Sequence, residues 1–131
     1  MQTRKLQSAY SLIGEIYCQQ VVPFKARRVS LLGRKCNAQI MYTFLGYEVK
    51  AAKKRLTCPD LVTARYLKIF LELGMKQILV PYDPTRTSRL IERLERSLEE
   101  LKQQSPEGRS QRNRFAQVRR ILVKCQAKSS S

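Results

Sequence analysis

The chain has 131 residues, 43% of them apolar and 27% charged, with 26 Lys or Arg against 10 Asp or Glu for a formal net charge of +16. Such a composition folds rather than remaining a disordered tail, and its length predicts one domain that buries roughly two-thirds of the surface its unfolded chain exposes. The absence of histidine removes the commonest general base and the commonest metal ligand, and no apolar run approaches the ~18 residues that cross a bilayer.

Leu6, Tyr10, Ile13 and Tyr17 recur at helical spacing, which predicts a first helix that ends where Pro23 interrupts it. A second helical stretch is predicted over residues 26–56. Val29, Leu32, Cys36, Ile40 and Phe44 mark one face of it, and Met41, Leu45, Val49 and Ala52 continue that face. Asn37 offers an N-cap where this stretch divides, and Gly33 and Gly46 read as points of close helix–helix approach. Thr57-Cys58-Pro59-Asp60 has the form of a capping box. A third helix is therefore predicted through Leu61, Ala64, Leu67, Phe70 and Leu71 to a stop at Gly74.

Residues 76–82 read as a short extended segment, kept from the middle of a sheet by Pro81. A turn from Asp83 to Ser88 leads to a fourth helix with Ile91, Leu94, Leu98 and Leu101 in a 3-4-3 seam. After a break at Ser105-Pro106-Glu107-Gly108, Phe115, Val118, Leu122 and Cys125 repeat that spacing in a basic last helix with a fraying end. The fold predicted from these elements is all-α: a compact bundle of about five helices with at most one short extended segment. Residues 1–104 form its core domain, with the basic helix and tail of 105–131 packed on it.

The charge is unevenly placed. Residues 1–59 hold eleven bases and two acids (+9), residues 60–104 eight and seven (+1), and residues 105–131 seven and one (+6). A neutral middle between basic ends points to a platform that turns electropositive surface toward a polyanion. Three groups carry the excess. The first is Lys25, Arg27, Arg28, Arg34 and Lys35, in which Arg27/Arg34 and Arg28/Lys35 are seven apart and so share helix faces. The second is Lys50, Lys53, Lys54 and Arg55, with Tyr47 placed on the face of Lys50 and Lys54 as a stacking ring. The third is Arg109, Arg112, Arg114, Arg119, Arg120 and Lys124, followed by Lys128. Arginine predominates there, as bidentate phosphate recognition favours.

Little else in the chain suggests chemistry. Glu92, Glu95, Glu99 and Glu100 share a helix with Arg89, Arg93, Arg96 and Lys102, so pairs such as Glu92–Arg96 are ordinary solvated surface. Asp60 and Asp83 sit beside prolines as cap and turn residues, and no glycine-rich phosphate loop occurs. Cys18, Cys36, Cys58 and Cys125 lack the close pairing of zinc ligands. With no secretory signal in the opening residues, they read as buried free thiols of a cytoplasmic protein. No catalytic residue, cofactor, metal, small-molecule substrate or membrane is expected.

The function these features favour is a non-catalytic nucleic-acid-binding protein that contacts the phosphate backbone of RNA or DNA through Lys/Arg-rich helices. Other protein subunits are expected partners within a larger ribonucleoprotein. Ribosomal proteins and the small helical subunits of CRISPR effector complexes are analogous in size, charge and helicity, but no motif is shared. One alternative is a helix-turn-helix or winged-helix DNA-binding regulator, with Pro59–Gly74 as helix, Lys76–Tyr82 as wing and the helix after it for dimerisation. Another is an adaptor or inhibitor that binds an acidic protein through the seam of residues 91–101.

Overall fold

The computed structural model describes residues 12–104 and 108–129. They form helix α1 over residues 12–20, strands β1 (Ala26–Ser30), β2 (Ala38–Thr43), β3 (Gly46–Ala51) and β4 (Lys54–Cys58), helix α2 (Leu61–Leu73), strand β5 (Gln77–Pro81), and helices α3 (Pro84–Gln104) and α4 (Arg109–Ser129). Two antiparallel sheets result, one ordered β1-β5 and one β2-β3-β4, so the fold is α+β. The expected all-α bundle is overturned by residues 26–56, where instead of a long helix the chain forms β1, the loop 31–37, β2, β3 and most of β4. The Leu6 and Tyr10 end of the first helix and the break at 105–107 lie outside the described residues.

The physical reason is a period of two. Tyr47, Val49 and Ala51 turn inward on β3 while Lys50 is exposed, and on β4 Leu56 and Cys58 turn inward while Arg55 and Thr57 are exposed. Two-residue connections at Phe44-Leu45 and Ala52-Lys53 join the three strands into a meander. Gly46 at φ +115 and Ala52 at φ +55 supply the left-handed backbone these tight reversals use.

Helix α2 is the hub. Asp60 is its N-cap and accepts from the Thr63 N–H at 2.7 Å, while Thr57 of the expected capping box belongs to β4. Gly74 closes the helix at φ +89, and the Met75 N–H donates to the Phe70 carbonyl. One side of α2 packs on the inner face of β2-β3-β4 and another packs on α3. Arg65 is ion-paired with Glu95, and Glu72 with Lys102, so α2 and α3 run parallel with both C-termini at one end. The 91–101 seam is filled by this packing: Ile91, Leu94, Leu98 and Leu101 are all buried. An adaptor using that seam therefore has no accessible surface to bind with. A regulator using α2 as a recognition helix meets the same obstacle, since most of α2 is core.

Two tyrosines finish the β1-β5 sheet. The Leu79 N–H donates to Tyr17 Oη at 2.9 Å, and the Leu79 carbonyl accepts from Tyr66 Oη at 2.8 Å. Gln126 of α4 also donates to Tyr17 Oη, which binds α1, β5 and α4 into one network. Burial pushes the Tyr17 hydroxyl up to about 12 against the lowering effect of these bonds. Cys18 and Cys125 are joined in a disulfide, so the four free thiols expected from the sequence reduce to Cys36 and Cys58.

Candidate nucleic-acid interface

Beyond Ser30 the β1-β5 ladder continues: the Leu31 N–H donates to the Lys76 carbonyl at 2.8 Å, and the Gly33 N–H to the Met75 carbonyl at 3.0 Å. That holds the loop after β1 against the turn after α2. Contact is so close that a Cβ on Gly74 would lie 2.8 Å from the Lys35 backbone nitrogen. Helix α4 crosses the same end, and Arg119 Nη1 donates to the Leu73 carbonyl at 2.7 Å, serving the last turn of α2.

Between these parts lies an open groove of about 560 Å³, lined by Gly33, Gly74, Met75 and Lys76 on one side and by Ala116, Arg119, Arg120, Val123 and Lys124 on the other. Its charged lining is four cations and no carboxylate. Burial lowers the Arg119 pKa, and the neighbouring Arg120 charge adds to this. An anion entering the groove meets Arg120, Lys124 and Lys76 exposed at its rim.

The second cation group adjoins this end. Lys54 Nζ reaches the Leu31 carbonyl at 3.5 Å, which sets the β3-β4 turn beside the loop that forms the groove. Lys50 and Arg55 are register partners on the outer face, with Lys53 in the turn between their strands. Like charges directly opposite one another destabilise a strand pair, and here Glu48 lies 3.8 Å from Arg55 as a counter-charge. The fold thus sets Lys54 of the hairpin beside the loop that carries Arg34, and this loop adjoins the groove of Arg119, Arg120 and Lys124, while Lys50 and Arg55 lie on the outer face of the sheet.

Other expected site residues are placed differently. Arg27 and Arg28 are on a strand, not a helix, and share no face with Arg34 and Lys35, which sit in a loop. Arg27 lies close enough to Cys58 to influence its thiol, which burial pushes up to about 11, and Arg28 stands near Tyr17. Lys25 is exposed at the other end of β1. Lys35 donates to Gln111 Oε1 and lies 5.2 Å from the Phe115 ring centroid, so it fastens the loop to α4. Tyr47 is on the opposite face from Lys50 and packs edge-on against Tyr42 at 5.2 Å. The expected stacking ring beside Lys50 is therefore corrected, because in a strand residues three apart point to opposite sides. Arg109, Arg112 and Arg114 lie on the first turns of α4, with Arg114 half-buried.

Lys76 was not singled out by the sequence. Its only signal was adjacency to the Gly74 stop, and it is one of eight bases in the neutral middle, outside the three basic groups. Glu72 is held by Lys68 and Lys102, whose hydrogen bonds outweigh the raising effect of burial and leave its carboxyl lowered. Among the described residues no group of His, Cys, Asp and Glu side chains is placed to hold a metal ion. No helix among them is long and apolar enough to cross a membrane. No protein-family model, curated protein or solved structure matches this chain.

Proposed function

We propose that this chain is a non-catalytic nucleic-acid-binding protein that grips phosphate backbone with its basic end, as a small subunit of a larger ribonucleoprotein. The observation that carries the reading is the groove whose charged lining is Lys76, Arg119, Arg120 and Lys124, with no carboxylate among them. Guanidinium groups suit phosphate because they present paired donors in a fixed plane. Arg119 acts here mainly through α2, leaving Arg120, Lys124 and Lys76 as the direct contacts. Cytoplasmic residence belongs to the same proposal but no longer rests on the cysteines, since Cys18 and Cys125 are bonded, and it is checked by cell fractionation.

Anisotropy titrations with single- and double-stranded RNA and DNA of unrelated sequence test it. If roughly six to ten phosphates are engaged, affinity falls by on the order of 10³–10⁵ between about 50 and 200 mM salt. Replacing Arg120 and Lys124 with Glu is expected to weaken every such ligand by at least tenfold while the thermal midpoint stays put. Binding that is flat with salt, or untouched by the double reversal, overturns the proposal.

A further inference from the structure

Among the described residues four strand edges face away from a partner strand, and three are closed to pairing. On β5 the Leu79 N–H and carbonyl are taken by Tyr17 and Tyr66. On β1 the exposed side chains are Arg27, Arg28 and Ser30. On β4 they include Arg55, with Lys54 beside it. Charged residues on an edge strand are the usual defence against edge-to-edge association.

Strand β2 has no such defence. It is the outer strand of the order β2-β3-β4, and among the described residues it pairs with β3 alone. In a chain of net charge +16, residues 36–47 contain no charged residue at all. Apolar side chains crowd this strand and the turn that follows it: Phe44 is 107% exposed, Leu45 86%, Tyr42 79% and Met41 41%. Aromatic side chains offer on the order of 150–250 Å² each, so this patch approaches roughly 500 Å² per chain. Met41 is on the outer face and Tyr42 on the inner one beside Tyr47, so this apolar surface wraps the strand edge and its turn, and isolated monomers seldom leave so much of it open along one edge.

We propose that a second copy of this chain covers it, by antiparallel pairing of β2 with β2 across a two-fold axis to make one six-stranded sheet. Three features select a second copy. The edge is self-complementary, because an antiparallel strand pair uses the same donors and acceptors from both members. Charge also selects it: the basic end of one +16 chain repels that of another, and the uncharged β2 edge is where two copies meet without opposing cations. Size agrees as well, since two such patches together reach the ~1,000 Å² of a specific interface.

The geometry restricts the register. An axis normal to the sheet keeps the α2-covered face on one side in both copies, so directly opposed residues must have the same facing. Pairing centred on Ile40 or on Met41 meets this requirement, and a shift by one residue between the two strands does not. The four-residue apolar patch cannot instead be assigned to an anionic membrane on equal terms. Membrane association of a basic protein needs apolar and cationic groups on one face, whereas Phe44-Leu45 is at the far end of the hairpin from Lys53, beside the Asp60 end of α2.

Sedimentation equilibrium of the full chain, purified in high salt after nuclease treatment so that nucleic acid bridges nothing, tests the proposal. At tens of micromolar the expected mass is twice the 15.3 kDa of the chain. Amides of residues 38–43 on the free edge should gain hydrogen-exchange protection as concentration rises. The variant carrying Met41→Lys and Phe44→Lys is expected to be monomeric at the same concentration with an unchanged far-UV spectrum. Phe44→Lys alone, at a fully exposed turn position, replaces it if the double variant fails to fold. A wild-type chain that stays monomeric overturns the proposal, and one that then co-sediments with phosphatidylserine vesicles assigns the patch to lipid. A dimer indifferent to both variants, or one with no added protection in β2, overturns it equally.

Discussion

Gly74 and Ala52 share a left-handed backbone but not the same surroundings, and the difference predicts opposite substitutions. Gly74, at φ +89, has backbone atoms of Arg34 and Lys35 at 3.1 and 2.8 Å from where a Cβ would be. Gly74→Ala therefore combines backbone strain with a clash that no side-chain rotation relieves. It is expected to cost roughly 2–4 kcal/mol in urea unfolding and to loosen the groove. Ala52, at φ +55, is exposed in the β3-β4 turn. There Ala52→Gly relieves about 1–2 kcal/mol of left-handed strain and loses about 0.4–1 kcal/mol to unfolded-chain entropy. A small net gain in thermal midpoint is the expected result. The stop at Gly74 was legible in the sequence, because glycine after an apolar helical stripe is the ordinary helix ending. The turn at Ala52 was not, since alanine carries no turn signal and neither does lysine after it.

At the scale of elements, the three-stranded sheet was hidden by coincidence of periods. Met41, Leu45, Val49 and Ala52 are three or four apart and so draw a helical stripe, yet Tyr47, Val49 and Ala51 alternate as well. Neither Phe44-Leu45 nor Ala52-Lys53 resembles the Asn-Gly or Asp-Gly pairs that announce a hairpin, so the helical pattern ran unbroken through both turns. Helices with a cap, a stop and a buried stripe were readable: Leu61–Leu73 is where those signals placed it, whereas α3 already begins at Pro84, inside the 83–88 segment read as a turn. What the spacing of cysteines could not give was their proximity. Cys18 and Cys125, 107 residues apart, tie α1 to α4 with their Cα atoms 5.5 Å apart. A closed loop of that length restricts the unfolded chain by up to about 4.7 kcal/mol in the chain-entropy model, and native crosslinks are typically worth 2–5. Cys18→Ser, or reduction with dithiothreitol, should lower unfolding stability by roughly that range. Because α4 forms one wall of the groove, anion affinity should fall with it. Unfolding by urea with and without reductant measures the first effect, and a reduced chain of unchanged stability would sink it.

The whole molecule is polarised. Helices α2 and α3 run parallel, their N-terminal caps at Asp60 and Asp83 at one end with the Phe44-Leu45 turn nearby, and their negative C-terminal ends beside Arg119, Lys76 and the loop of Arg34. The dipoles account for part of this clustering, since Arg119 already serves a helix carbonyl. They do not account for Lys50 opposite Arg55, Lys53 in an exposed turn, or Arg120 and Lys124 on the outer side of α4. If those cations act as one belt on one phosphate backbone, their contributions to counterion release must add. Lys53→Gln with Arg55→Gln should reduce the slope of log K against log salt by about 1.8 on duplex DNA, and Arg120→Gln with Lys124→Gln by the same amount. The quadruple variant should then lose about 3.6, since the two pairs lie on separate elements and share no contact. A hairpin pair that leaves the slope unchanged confines binding to the groove, and the belt fails as a unit.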